Sequence, residues 1–71
     1  IANGADVNAK THGNGWTPLH FAAGNDNKET AELLITNGAD VNDTYNNGLT
    51  ALHAAALNGS KEIVKLCVRF S

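Results

Sequence analysis

Few residues in this chain have side chains able to do chemistry. Three histidines (His12, His20, His53), one cysteine (Cys67) and seven carboxylates stand among 71 residues. A zinc site needs Cys or His ligands at short spacing, such as Cys-x-x-Cys or two histidines at i,i+4. Here the histidines are 8 and 33 residues apart and Cys67 lies far from all three, so no metal and no cofactor is expected. Asp6 and Asp40 could form a catalytic carboxylate pair. Each sits in an identical six-residue motif, however, and a catalytic pair would not be duplicated along with its scaffold. Hydrogen bonding to turn backbone is the expected role, as Asp commonly does. His20 and His53 each follow a threonine by three residues, where an imidazole can bond the backbone and the Thr hydroxyl. Cys67 lies among apolar residues, the setting of a buried and inert thiol. No Ser-His-Asp or Cys-His set is visible, and the glycines stand singly rather than in a phosphate-binding loop. No enzymatic activity is expected of these residues.

The duplicated motif sets the organisation. Asn3-Gly4-Ala5-Asp6-Val7-Asn8 recurs as Asn37-Gly38-Ala39-Asp40-Val41-Asn42, an offset of 34. Thr17-Pro18-Leu19-His20 recurs as Thr50-Ala51-Leu52-His53, an offset of 33. One extra residue therefore lies between Asn8 and Gly15. Fixed-period self-similarity of this length is the mark of a repeat architecture. Within each copy the local signals agree. Asn14-Gly15 and Asn47-Gly48 mark turns. Thr17 before Pro18 is an N-cap followed by proline at the first helical position. Short helices are predicted from Pro18 to about Ala23 and from Ala51 to about Leu57. Longer ones are predicted over Lys28–Thr36 and Lys61–Phe70, where apolar residues recur at helical spacing. Gly4 and Gly38 follow apolar helical runs and read as left-handed helix stops.

Composition excludes several classes. The net charge of −2 and five scattered basic residues do not make a nucleic-acid or anionic-membrane surface. No apolar run approaches the roughly 18 residues of a membrane span, so no direct membrane insertion is expected. At 17% charged and 42% hydrophobic residues, the chain is not kept unfolded by charge excess. A single domain of this size has a marginal core, and one cysteine cannot supply an intrachain disulfide.

The residues Gly15-Trp16-Thr17-Pro18-Leu19-His20, the Asn-Gly-Ala-Asp-Val-Asn pairs and the 33-residue period resemble the ankyrin repeat family, over essentially the whole chain. The resemblance implies an all-α ankyrin-repeat solenoid, with helix-turn-helix units linked by β-turn or hairpin loops. It divides the chain into the tail of a preceding repeat (1–3), repeat one (4–37) and repeat two (38–71). It makes Thr17, Pro18, Leu19, His20, Thr50, Leu52, His53, Gly4 and Gly38 structural motif residues, with the histidines tying adjacent turns together. In some members of the family the Asn matching Asn8 and Asn42 is hydroxylated, so these two are hydroxylation candidates. Three departures stand out: Asp26 replaces the usual glycine between the helices, Ala51 replaces Pro18, and Ala54 replaces the bulkier Phe21, which predicts a looser second short helix.

The function implied is protein–protein interaction, through the turn tips and the inner face of the short helices. Mapped onto this chain, that surface is Lys10, His12, Asn14, Trp16, Gly24 and Asn25 in the first copy. In the second copy it is Thr44, Asn46, Asn47, Leu49, Leu57 and Asn58. Its asparagine-rich tips imply adaptable hydrogen bonding rather than charge steering. Two units offer less than the roughly 800 Å² per partner of a standard interface. Two alternatives compete: spacer repeats that touch no partner, and a regulatory arm of an enzyme whose catalytic domain lies outside this chain. The opening Ile-Ala-Asn-Gly and the internal type of the last helix give the expectation of flanking ankyrin repeats and, in isolation, of self-association through exposed repeat faces. A lone thiol and the absence of a signal-peptide pattern give the expectation of an intracellular location, cytoplasmic or nuclear.

Overall fold

The computed structural model describes residues 6–71. Four helices follow in order: α1 (Pro18–Gly24), α2 (Lys28–Thr36), α3 (Ala51–Leu57) and α4 (Lys61–Phe70). Among the described residues there is no strand. The hairpin element is reduced to one antiparallel bridge, Tyr45 with Leu49. The tip between them bends through Asn46, Asn47 and Gly48, all at positive φ. Asparagine and glycine are the residues that enter that region at least cost.

Helix starts follow from their caps. Thr17 is extended, and its side-chain oxygen accepts the His20 backbone N–H at 3.4 Å, with Pro18 at the first helical position. Thr50 and His53 repeat that reciprocal arrangement, so α3 starts at the matching residue although Ala51 stands in place of Pro18. Asn27 opens α2, its Oδ1 accepting from the Thr30 N–H at 3.2 Å.

Three helices end in the same way. After α2, Gly38 N donates to Ile35 O at 3.1 Å and Ala39 N to Leu34 O at 2.9 Å, with Gly38 at φ +99°. That pair of bonds is the Schellman stop, which needs one left-handed residue. α3 ends so on Gly59 (φ +66°), and α1 ends so on Asp26 (φ +53°). Gly4, expected to do the same, lies outside the described residues. A left-handed aspartate is strained where glycine is not. Asp26→Gly should therefore raise stability by about 0.5 kcal/mol, measured as the urea midpoint, the gain being partly offset by the greater freedom of glycine in the unfolded chain.

The helices form two antiparallel pairs, α1–α2 and α3–α4, stacked mainly through α1 against α3, with a lighter α2–α4 contact. Leu19, Ala23, Ala31, Ala51, Ala54, Ala55 and Ile63 form the buried seam, joined by Val41 and Tyr45 from the second turn. Alanines dominate because the short helices lie close together. Ala54 is fully enclosed there while its counterpart Phe21 is half exposed, so the smaller residue suits the packed side of α3 rather than loosening it.

Candidate functional site

The turns and short helices are joined by a polar and aromatic network around His20. Thr17 N–H donates to His20 Nδ1 at 2.8 Å. Nδ1 therefore carries no proton, and Nε2–H donates to the Asp43 carbonyl at 3.0 Å in the second turn. The ring lies against Tyr45, centroids 4.6 Å apart, and meets Trp16 edge-on at 6.0 Å. Trp16 covers Tyr45 at 4.2 Å and touches Phe21 at 5.0 Å. His20 and Thr17 are buried. Burial pushes the His20 pKa below its ordinary value, outweighing the opposing pull of the Asp43 carbonyl and carboxylate. A lowered folded pKa means that the unfolded chain binds the extra proton first. Stability should therefore fall as pH drops below about 6.5, the unfolded histidine value, until the folded value is reached. Urea midpoints between pH 8 and pH 5.5 check this, and His20→Gln should flatten the slope in that window.

Other cross-bonds join the two helix pairs. Lys10 Nζ lies 3.3 Å from Asp43 Oδ1 and donates to the Thr44 carbonyl at 3.1 Å. Asn8 uses both ends of its carboxamide: Nδ2 donates to Gly38 O at 3.2 Å, and Oδ1 accepts from Asp40 N at 2.8 Å. Asp6 and Asp40 each accept the N–H two residues on, at 2.9 Å, holding their turns. Asn46 N donates to Asn14 O at 2.9 Å, linking the two tips. Asn58 Nδ2 donates to the Ala23 and Gly24 carbonyls, closing the end of α1 from the second pair. Asn25 Nδ2 turns back onto Phe21 O at 3.0 Å.

The structure thus divides the candidate contact residues into two sets. Lys10 and Asn58 hold the two pairs together, Trp16 and Leu49 are half-buried, and Gly24 lies under the Trp16 ring. His12, Asn14, Thr44, Asn46 and Asn47 are exposed, and among the described residues their side chains make no hydrogen bond. Leu57 is 82% exposed and Phe21 48%. Asn42 is exposed, and its carboxamide has no partner among the described residues. Tyr45 and Phe21 also contribute, although neither belongs to the repeated motifs: Tyr45 stands five residues before Thr50 and Phe21 directly follows His20.

The remaining titratable groups lie apart. Cys67 is buried and free, and burial pushes its thiol pKa up, which keeps it protonated at neutral pH. Among the described residues no group of three or more His, Cys, Asp or Glu side chains could hold a metal ion. No helix among them is long and apolar enough to cross a membrane.

Comparison with known proteins adds two findings. The family model for ankyrin repeats (three copies) matches residues 1–69. A curated relative, a mitochondrial disaggregase from Homo sapiens, is 50% identical over 42 residues. That match covers 59% of this chain and 6% of the relative, so the chain spans a small fraction of the relative's length.

Proposed function

We propose that this chain, which belongs to the ankyrin repeat family, binds another protein through the outward side chains of its turns and the open edge of its short helices. Ankyrin repeats are generally protein–protein interaction modules, and their fold is generally non-catalytic. The observation that carries the proposal is the pairing of exposed apolar side chains on the short helices, Leu57 and Phe21, with turn tips whose His12, Asn46 and Asn47 side chains are engaged by nothing in the fold. Apolar anchors rimmed by unengaged polar groups are what a binding surface requires. The repeat boundaries are proposed as 4–37 and 38–71. Of the two asparagines proposed for hydroxylation, Asn42 presents the open carboxamide, whereas Asn8 is bonded at both ends. The proposed setting is inside the cell, cytoplasmic or nuclear, on the strength of the free thiol.

The test is capture of the partner by the full repeat array, native against a variant carrying His12→Ala, Asn47→Ala and Leu57→Ala. Loss of capture by tenfold or more, with an unchanged urea midpoint, is the expected outcome. Unchanged capture would overturn the proposal in favour of the spacer reading. That second reading has its own support, since Lys10, Asn8 and Asn58 all act between the helix pairs rather than outward.

A further inference from the structure

Asparagine is among the thermally labile residues, and it is most labile before glycine. A glycine amide nitrogen, with no side chain beside it, can close on the carboxamide carbon of the preceding asparagine. Five asparagines in this chain stand directly before a glycine: Asn3, Asn14, Asn37, Asn47 and Asn58. Asn3 lies outside the described residues. The other four are all exposed, so exposure does not rank them.

Hydrogen bonding does. Ring closure needs both the Asn carboxamide and the Gly N–H to be free. Asn37 Nδ2 donates to Leu33 O at 2.7 Å, and Gly38 N–H to Ile35 O at 3.1 Å. Asn58 Nδ2 is held by the Ala23 and Gly24 carbonyls, and Gly59 N–H by Ala56 O at 3.2 Å. Asn47 has a free carboxamide, but Gly48 N–H donates to Tyr45 O at 3.2 Å. Asn14 meets both conditions: neither its carboxamide nor the Gly15 N–H has a partner among the described residues.

The extra residue of the first copy accounts for the difference. Tyr45 N–H donates to Leu49 O at 2.7 Å and closes the second tip around residues 46–48. Thr11 N–H donates to Trp16 O at 2.9 Å and closes the first tip around the longer stretch 12–15. In that longer tip the inner bond is made by Asn14 N–H to His12 O at 3.2 Å, and Gly15 N–H is left over. Gly13 and Gly15, at φ +83° and +72°, flank Asn14, and a side chain at Gly13 would meet nothing within 4 Å. The tip therefore has room to turn Asn14 Cγ toward Gly15 N. This openness does not depend on what precedes the first copy. Asn47, whose tip has a repeat stacked before it, is exposed as well.

We infer that Asn14 is a site of spontaneous modification through its own backbone. Gly15 N gives up its proton to solvent and attacks Asn14 Cγ. The bond from Cγ to the amide nitrogen breaks, ammonia leaves, and a five-membered succinimide remains. Water then opens the ring. Cleavage between the ring nitrogen and Cγ gives aspartate, and cleavage between that nitrogen and the backbone carbonyl carbon gives isoaspartate. The net change is asparagine and water to an acid and ammonia, with no oxidant or reductant. Either product puts a carboxylate on tips whose residues 12–14 and 46–48 carry none. Isoaspartate also turns the Asn14 carbonyl, which accepts Asn46 N–H at 2.9 Å, into that carboxylate and routes the main chain through Cβ. The inference rests on the turn geometry and not on the partner surface proposed above.

The test holds the folded array at pH 8 and 37 °C for several weeks, with digestion and peptide mass spectrometry at intervals. Asn14 should convert at least about tenfold faster than Asn37 and Asn58, with Asn47 between, because a bonded site reacts only through local opening. Chromatography should resolve both aspartate and isoaspartate in the Asn14 peptide. In denaturant, where the protecting bonds are gone, the four rates should draw together to within about threefold. Four outcomes would overturn the inference: no conversion at Asn14, conversion of any of the other three as fast as Asn14 in the folded array, the native spread persisting in denaturant, or aspartate without isoaspartate.

Discussion

Leu19→Ala should cost about 3 kcal/mol of folding stability, whereas Leu52→Ala at the matching position of the second copy should cost about 1 kcal/mol. The two leucines occupy the same place in the same motif. Leu19 is 1% exposed beneath α3, and Leu52 is 36% exposed. Truncating a buried leucine removes its transfer free energy and leaves a cavity, a loss of about 2–5 kcal/mol. At a partly exposed site the water already present reduces the first term, and the cavity term nearly vanishes. A domain of this size has a stability of only about 0.05–0.15 kcal/mol per residue, so the first substitution removes a large share of the total. Urea unfolding of the two variants under identical conditions reads the difference. Equal losses would mean that the helix pairs do not stack as described.

His20→Ala should be nearly as severe, at about 3 kcal/mol, while His53→Ala should cost about 1 kcal/mol. Alanine at position 20 removes the acceptor of the buried Thr17 N–H, the donor to Asp43 O and the ring between Trp16 and Tyr45. A buried donor left without an acceptor costs about 1–3 kcal/mol, and the cavity left by the ring adds to it. At position 53 the same local bond to Thr50 is lost, but that threonine is half-exposed and water can replace the acceptor. Trp16 gives a second readout. Its emission should shift to the red in His20→Ala, because the ring loses its edge contact and gains water, and should stay unchanged in His53→Ala.

These contrasts also show where the sequence was legible. The helices start and stop where Thr17, Thr50 and Gly38 indicate, because caps and stops are local chemistry, whereas the cap that Asn27 gives α2 emerges only from the structure. Asp26 in the place of a glycine was readable as a left-handed residue for the same reason. Contacts between the copies were less visible. Lys10 reads as an outward contact residue, yet its amine sits on Asp43 and the Thr44 carbonyl, which only the stacking brings within reach. Asn58 reads as a tip residue and closes the end of α1 instead. Tyr45 matches no repeated motif, and its burial under Trp16 and His20 follows from three segments meeting. The motif specifies each unit, and only the stacking decides whether a given side chain faces a neighbour or solvent.

The most direct single measurement is site-resolved amide hydrogen exchange on the full array, free and with its protein partner bound. The proposed surface predicts added protection at the tips, 12–14 and 44–48, and along α1 and α3, with α2 and α4 unchanged. Protection confined to α2 and α4, with the tips exchanging as in the free protein, would contradict a partner surface built on the turns and short helices.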